Sequence, residues 1–324
     1  MLKTSFDRQK HWETSPRVTS LVDAFEAIAA GRSGYPSKRE VTADLSLFGG
    51  REDIVAFHER YMDYSGTFNA HFLASIPYVL EEECRLGNAM TAYLTGKSRN
   101  LRRTAHLQTV GNAEAVIART VVAASGGHIA SLSNSPTEAN RREFERNRPP
   151  DCHFHLGPYF ELDRHRIRNT PELARFSEGF DIIYEDTAFQ MYGPDRHEQV
   201  PFVLQNLRRD GIFVCLEKCS HASREEYLRR ELVKDRDFKS RYFDAGQLEE
   251  KEFILGEMVK GQVPLEHVVD AIRIELRYVE LIWNSGNFYM LAASDDWAEL
   301  QAFKALLGPV CIPDAYVFDF PRSL

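Results

Sequence analysis

The chain has 324 residues, of which 43% are hydrophobic and 27% charged, with a formal net charge of −8. That length suits a large α/β domain with a smaller one beside it, and the negative balance argues against nucleic acid, whose phosphates want a basic face. The five cysteines are too scattered for a disulfide framework, no apolar run approaches the roughly 20 residues that span a bilayer, and the first residues carry no apolar signal core; a cytoplasmic protein with reduced thiols and no membrane partner is expected.

Residues 1–100 read as helical. Val18, Leu21, Val22, Phe25, Ile28 and Ala29 form an apolar stripe closed by Gly31. Ile54, Phe57, His58 and Tyr61 form a second stripe. Phe68, Phe72, Ile76, Val79 and Leu80 form a third, interrupted at Pro77. The aromatic stretch around Tyr64 and Phe68 is either core packing or one wall of a pocket.

Beyond residue 100 strands and helices alternate. Residues 105–110 predict a strand, Gly111-Asn112-Ala113-Glu114 a tight turn, and 113–124 a helix that Gly126-Gly127 ends. A second strand at 129–132 runs into Ser133-Asn134-Ser135-Pro136. A charged surface helix spans 137–147, and a third strand at 152–156 leads to Gly157-Pro158-Tyr159. The segment 180–218 is the most informative. Its apolar run Phe180-Asp181-Ile182-Ile183-Tyr184 stops abruptly at Glu185-Asp186-Thr187. Val200, Val203, Leu204 and Leu207 then recur at helical spacing, and Arg209-Asp210-Gly211 closes that helix before a strand at 212–216. Two buried strands joined by a helix make a parallel βαβ unit, so the expected architecture is a parallel sheet covered on both faces. Ligands in such sheets sit at the carboxyl ends of the strands, which points first at Glu185, Asp186, Thr187 and Glu217. A helical insertion follows at 224–276, densely charged at 225–239. Strands at 278–283 and 288–293 are joined by the hairpin signal Asn284-Ser285-Gly286-Asn287. In the tail Tyr316, Phe318 and Phe320 alternate, as in an extra edge strand or an interface segment.

Five parallel strands closed by a terminal hairpin resemble the class I S-adenosylmethionine-dependent methyltransferase fold over roughly residues 101–294. The resemblance implies an α/β, Rossmann-like, seven-stranded sheet with an N-terminal helical lid. The lid would be 1–100 and the S-adenosylmethionine-binding domain 101–296, with its insertion at 224–276 and a tail at 297–324. It places Thr109, Gly111, Asn112 and Glu114 in the motif that cradles the cofactor. Here the chain departs from the family: one glycine remains, and Thr109 stands where an acid is common. Asn134, beside Ser135, stands where an acidic residue usually holds the ribose hydroxyls; an amide still hydrogen-bonds a hydroxyl. The helix after Gly111 offers a positive N-terminus to the methionine carboxylate. By the same resemblance Gly157, Pro158 and Tyr159 lie near the adenine, and Glu185 and Asp186 near the sulfonium. The nucleoside is then expected where Gly111, Asn134 and Gly157 converge.

Methyl transfer from a sulfonium chiefly needs alignment of donor and acceptor and exclusion of water. Glu185, Asp186 and Tyr64 form the expected catalytic set. His71, Glu185, His197 and Glu217 are candidate bases, and Tyr64, Phe68, Phe189, Tyr192 and Phe288 offer faces to a sulfonium. The leading expectation is methyl transfer to a small molecule by a possible homodimer. A second keeps the cofactor and cleaves its amino acid arm, either by aminocarboxypropyl transfer or by closure to azetidine-2-carboxylate with release of methylthioadenosine. The unusual first motif, Asn134 and the aromatic cap motivate it, with Asn134, Tyr159, Glu185 or Asp186 folding the arm. A third is a degenerate, non-enzymatic partner subunit. Cys152-His153-Phe154-His155 tempts a metal reading, but strand alternation sends Cys152 away from the two histidines, so no metal is expected.

Overall fold

The computed structural model describes residues 6–324. Helices α1 (Arg8–Thr14), α2 (Val22–Ala29), α3 (Glu52–Tyr64), α4 (Thr67–Leu73) and α5 (Val79–Leu101) precede the sheet. There follow β1 (Ala105–Val110), α6 (Val116–Ala124), β2 (Ile129–Ser135), α7 (Glu138–Arg146), β3 (Cys152–Leu156), α8 (Arg164–Asn169), β4 (Phe180–Asp186), α9 (Arg196–Leu204) and β5 (Leu207–Lys218). The remainder is α10 (Arg224–Val233), α11 (Ala245–Val259), α12 (Leu265–Arg273), β6 (Tyr278–Ser285), β7 (Phe288–Ser294), α13 (Trp297–Leu307) and β8 (Arg322–Ser323).

The strands lie in the order β3-β2-β1-β4-β5-β7-β6-β8. β1 to β5 are mutually parallel, and β7 enters antiparallel between β5 and β6. β1, β2 and β4 are buried along their whole length because helices cover both faces of the sheet. One apolar core joins α3, α5, α6 and α13 to one face; the other joins α9 and α12 to the opposite face.

The structure corrects two expectations. The sheet has eight strands, because the tail adds the short edge strand β8 beside β6; this edge is residues 322–323, not the alternating aromatics. Tyr316 is buried against Tyr78, and Phe318 lies under the guanidinium groups of Arg229 and Arg230. Arg209-Asp210-Gly211 is strand rather than turn: β5 starts at Leu207 opposite Phe180, and the register then shifts before Ile182 meets Ile212. Pro77 splits the third stripe into α4 and α5, with Tyr78 between them at φ 59°. α5 packs on β1, α6 and α13 as part of the sheet's own covering layer. Among the described residues no helix is long and apolar enough to cross a membrane.

Candidate functional site

The carboxyl ends of β1 and β4 open into a cavity of ≈ 990 Å³. Gly111, Asn112, Asp186 and Thr187 line its base. Phe25 from α2 and Phe68, Asn69 and His71 from α4 form one wall. Tyr227 from α10, Lys234 and Lys239 from the following turns, and Lys251 from α11 close it from the other side. The sharp turn after β1 requires glycine: Gly111 has φ +77°, and a Cβ there would sit 2.4 Å from the Ala188 Cβ. Thr187, at the end of β4, holds a left-handed conformation at φ 53°, which is costly for a β-branched residue.

A buried network underlies the base. Asn112 Nδ2 donates to Asp186 Oδ2 at 2.6 Å. The Tyr184 hydroxyl lies 3.3 Å from Asp186 Oδ1 and donates to Glu83 on α5. That phenol has one proton, so the contact with Asp186 is complete when Asp186 itself carries another. Burial raises Asp186 to about 7. Burial and then the neighbouring Asp186 charge hold Glu83 well above the carboxylate range. Asn112 Oδ1 and Gln190 Oε1, both on residues lining the cavity, are buried and accept no hydrogen bond from the protein. Beside the cavity a cleft of ≈ 20 Å³ is lined by Arg17, Ser135, Pro136, Asn140 and Tyr192, with Phe25, Phe68, Gly111 and Met191 shared between the two spaces. Asn140 Oδ1 in that cleft is likewise without a partner; Asn134 Oδ1 is too, but that residue lines neither space. Buried polar atoms are ordinarily paired, and the three orphaned amide oxygens on residues lining the two spaces, of Asn112, Gln190 and Asn140, ask for a ligand rich in hydrogen-bond donors.

Glu114 lines the cavity but spends its carboxylate on the protein. It accepts from the backbone N–H groups of Gly66 (2.9 Å), Phe68 (2.7 Å) and Asn69 (3.3 Å), so it pins the start of α4 to the β1–α6 turn. Burial still raises it to about 7. A carboxyl group raised in the folded state holds its proton more tightly there than in the unfolded chain. Its contribution to stability is therefore present at low pH and is lost as pH rises from the unfolded value through about 7. Thermal melts between about pH 5 and pH 8 should show a shallower fall for Glu114→Gln than for the parent protein; identical slopes would exclude this role.

Several expected site residues lie elsewhere. Glu185 is fully buried and turned into its own strand end: Oε1 accepts from the N–H of Ala188 and Phe189, and Oε2 from the Cys215 thiol. Glu217 is paired with the buried Arg196 at 2.7 Å. Tyr64 lies off the cavity, its ring 5.0 Å from the Arg119 guanidinium and its carbonyl accepting from the same group. Thr109 is a core residue bonded to Ser133 at 2.7 Å. Gly111, Asn134 and Gly157 do not converge on one hollow. Asn134 Nδ2 donates to the Gly157 carbonyl at 3.1 Å, and the space over Gly157 is taken by Glu161 and His155. Ser135 lines the cleft and accepts from Asn140 at 3.0 Å. Pro158 and Tyr159 are buried away from both spaces, Tyr159 in a cluster with Phe6, Phe160, Phe189 and Tyr192. The N-terminal segment causes this closure: Ser15 donates to the Tyr192 carbonyl, and Arg17 bonds Thr137. Of the candidate bases only His71 lines the cavity; the His197 ring lies 4.6 Å from that of His267, tilted by 44°. Phe68 and Phe288 line the cavity, and Tyr192 lines the cleft.

Glu185, Cys215 and Glu217 bring one ligand atom each within 4.8 Å of one another. The Cys215 proton already serves Glu185, and Arg196 neutralises Glu217, so this donor set is complete without a metal. Sequence reasoning missed Asn140, Gln190, Lys218, Lys239 and Lys251. The lysines fall in or near stretches whose charge density reads as a solvated face, and only burial distinguishes them.

No family profile matches the chain, and no curated protein matches it by sequence. Solved structures resemble it remotely. The plantazolicin methyltransferase BamL, in complex with a triazolic desmethylPZN analog and SAH, is 9% identical over 79% of this chain and 100% of its own, with a TM-score of 0.47. A possible exported protein of Bordetella parapertussis is 12% identical over 89% and 99%, at 0.44. An SAH-bound methyltransferase of Podospora anserina is 14% identical over 85% and 95%, at 0.39. Likenesses this remote leave the assignment of the fold to the sheet, whose five parallel strands are closed by an antiparallel β7 between β5 and β6. The fold is the class I methyltransferase fold.

Proposed function

We propose that the protein is an S-adenosylmethionine-dependent transferase acting on a small molecule, most simply a methyltransferase. The observation that carries this reading is the set of orphaned acceptors that line the two spaces, Asn112, Gln190 and Asn140, at the carboxyl edge of a class I sheet. S-adenosylmethionine carries matching donors in its ammonium group, ribose hydroxyls and adenine amine. Asp186, Asn112 and Gln190 would hold the ammonium end. Asn140 and Ser135 would meet the nucleoside, which enters the cleft once Phe25, Phe68 or Met191 shifts, since these side chains stand between the two spaces.

When bound, S-adenosylmethionine supplies an electrophilic methyl group on a sulfonium. The chain's part is positioning and exclusion of water. Asp186 places a carboxylate beside the cationic donor, Phe68 presents an aromatic face, and α4, α10 and α11 shield the chamber. His71 is the candidate base that lines the cavity, and burial keeps its ring neutral.

Mass spectrometry of the purified protein incubated with S-adenosylmethionine tests the reading. The expected product is S-adenosylhomocysteine, formed only when an acceptor is added. Methylthioadenosine formed without acceptor would instead establish cleavage of the amino acid arm. No binding heat and no thermal shift with S-adenosylmethionine would remove both and leave a partner subunit.

A further inference from the structure

The lysine-lined end of the cavity holds a buried amine without a carboxylate partner, which methyl transfer alone does not explain. Lys218, Lys234, Lys239 and Lys251 all line it, with Glu231, Asp235, Glu249 and Glu252 among the carboxylates of the same lining. Lys218 and Lys234 share Glu231, at 2.7 and 2.5 Å, and Lys239 takes Asp235 at 2.7 Å. Lys251 has no carboxylate partner among the described residues, although it is only 3% exposed.

Its contacts are neutral. His71 Nδ1 donates to the Gly34 carbonyl at 2.8 Å, which leaves Nε2 as an acceptor. Lys251 Nζ lies 3.2 Å from that Nε2 and 3.0 Å from Nδ1. It lies 3.0 Å from Ser75 Oγ, whose own proton goes to the His71 carbonyl. The Phe243 ring is 4.2 Å from Nζ. An ammonium has three donors; Ser75 Oγ takes one, and the near-equal distances to the two ring nitrogens set Nζ over the imidazole face, so the other donors have no aligned acceptor in the protein. A buried ammonium needs a counter-charge.

We propose that this end of the cavity is a carboxylate subsite, in which Lys251, held by His71 and Ser75, receives the anionic group of an otherwise apolar substrate. The apolar part would rest on Phe68, Phe72, Ile76 and Phe288, which line the same cavity. This deepens the transferase reading by assigning the acceptor's class, a hydrophobic carboxylic acid, and as a statement about the acceptor's role it rests on that reading.

The groups facing Lys251 are His71 from α4, Lys234, Asp235 and Lys239 from the turns after α10, and Glu250 on its own helix. Burial and then Lys239 and Lys234 push Lys251 well below the usual lysine range. An incoming carboxylate reverses that balance, so its binding takes up a proton and weakens as pH rises.

Calorimetric titration with 3-phenylpropionate and with its amide, 3-phenylpropanamide, tests the subsite. The acid should bind on the order of 10-fold tighter or more, as expected for a charge-assisted hydrogen bond. Lys251→Met should erase that preference without lowering the melting temperature, because it removes a buried polar group whose desolvation is costly and keeps the side chain's length. Equal binding of acid and amide, binding of neither, or an undiminished preference in Lys251→Met would overturn the proposal. The titration contains no S-adenosylmethionine, so its failure is distinct from failure of the cofactor reading.

Discussion

Asp186→Asn is expected to weaken S-adenosylmethionine by roughly 10- to 100-fold, the loss of one charge-assisted hydrogen bond to an ammonium group. Asp186 is the carboxylate that the β4 strand end presents to the cavity, fixed by Asn112 on one oxygen and by Tyr184 on the other. The amide keeps the size of the side chain and loses the charge. Because burial raises Asp186 to about 7, it is ionised only above that pH. Affinity in the parent protein should therefore climb as pH rises through about 7, and this climb should vanish in Asp186→Asn. Glu185→Gln serves as the contrast. Its carboxylate serves Ala188, Phe189 and Cys215 rather than the cavity, so the variant should lower melting temperature and leave calorimetric affinity close to that of the parent. If Glu185→Gln loses affinity and Asp186→Asn does not, the site has been placed on the wrong carboxylate.

Arg196→Ala should be the most destabilising single change, at about 3–5 kcal/mol, because it strands a buried charge. Arg196 Nε and Nη2 hold both oxygens of Glu217, at 2.7 and 3.2 Å. The same group donates to the Gly193 carbonyl (2.7 Å), Gln199 (2.8 Å) and the Gly261 carbonyl (3.0 Å). It thus ties the end of β5 to α9, to the turn before α9, and to the segment between α11 and α12. Gly261 is itself pressed against this region: a Cβ there would stand 1.9 Å from the Gln190 carbonyl oxygen, so only glycine permits the approach. The double variant Arg196→Met with Glu217→Leu removes both charges together and should recover most of the loss. Guanidinium denaturation of the three proteins checks this. A single variant within about 1 kcal/mol of the parent would mean that the pair is not buried in solution.

Strand-forming runs such as Ile182-Ile183-Tyr184 and Phe213-Val214-Cys215 were legible because their signal is contained in a few neighbouring residues. The hairpin at Asn284–Asn287 was legible for the same reason: β6 and β7 flank a short polar turn with Gly286 at φ 61°. Asp186, Gly111 and Asn112 line the cavity, at the ends of parallel strands where the sequence directs attention. Glu185 was misjudged because an adjacent carboxylate at a strand end points to the opposite face, and sequence does not say which face holds the cavity. Tyr64 was misjudged because Arg119, 55 positions away, claims its carbonyl and its ring.

What the amino-acid order determined by itself is the alternation of strands and helices, and hence the parallel sheet with its antiparallel closure. Periodicity and turn chemistry act over a few residues, and no distant partner is needed to read them. Tertiary structure alone decided which charges are buried and what they face. Lys251 meets His71 across 180 positions, and Tyr184 meets Glu83 across 101. The cost of removing a charge from water depends on every group around it, and those groups are assembled only when the chain folds.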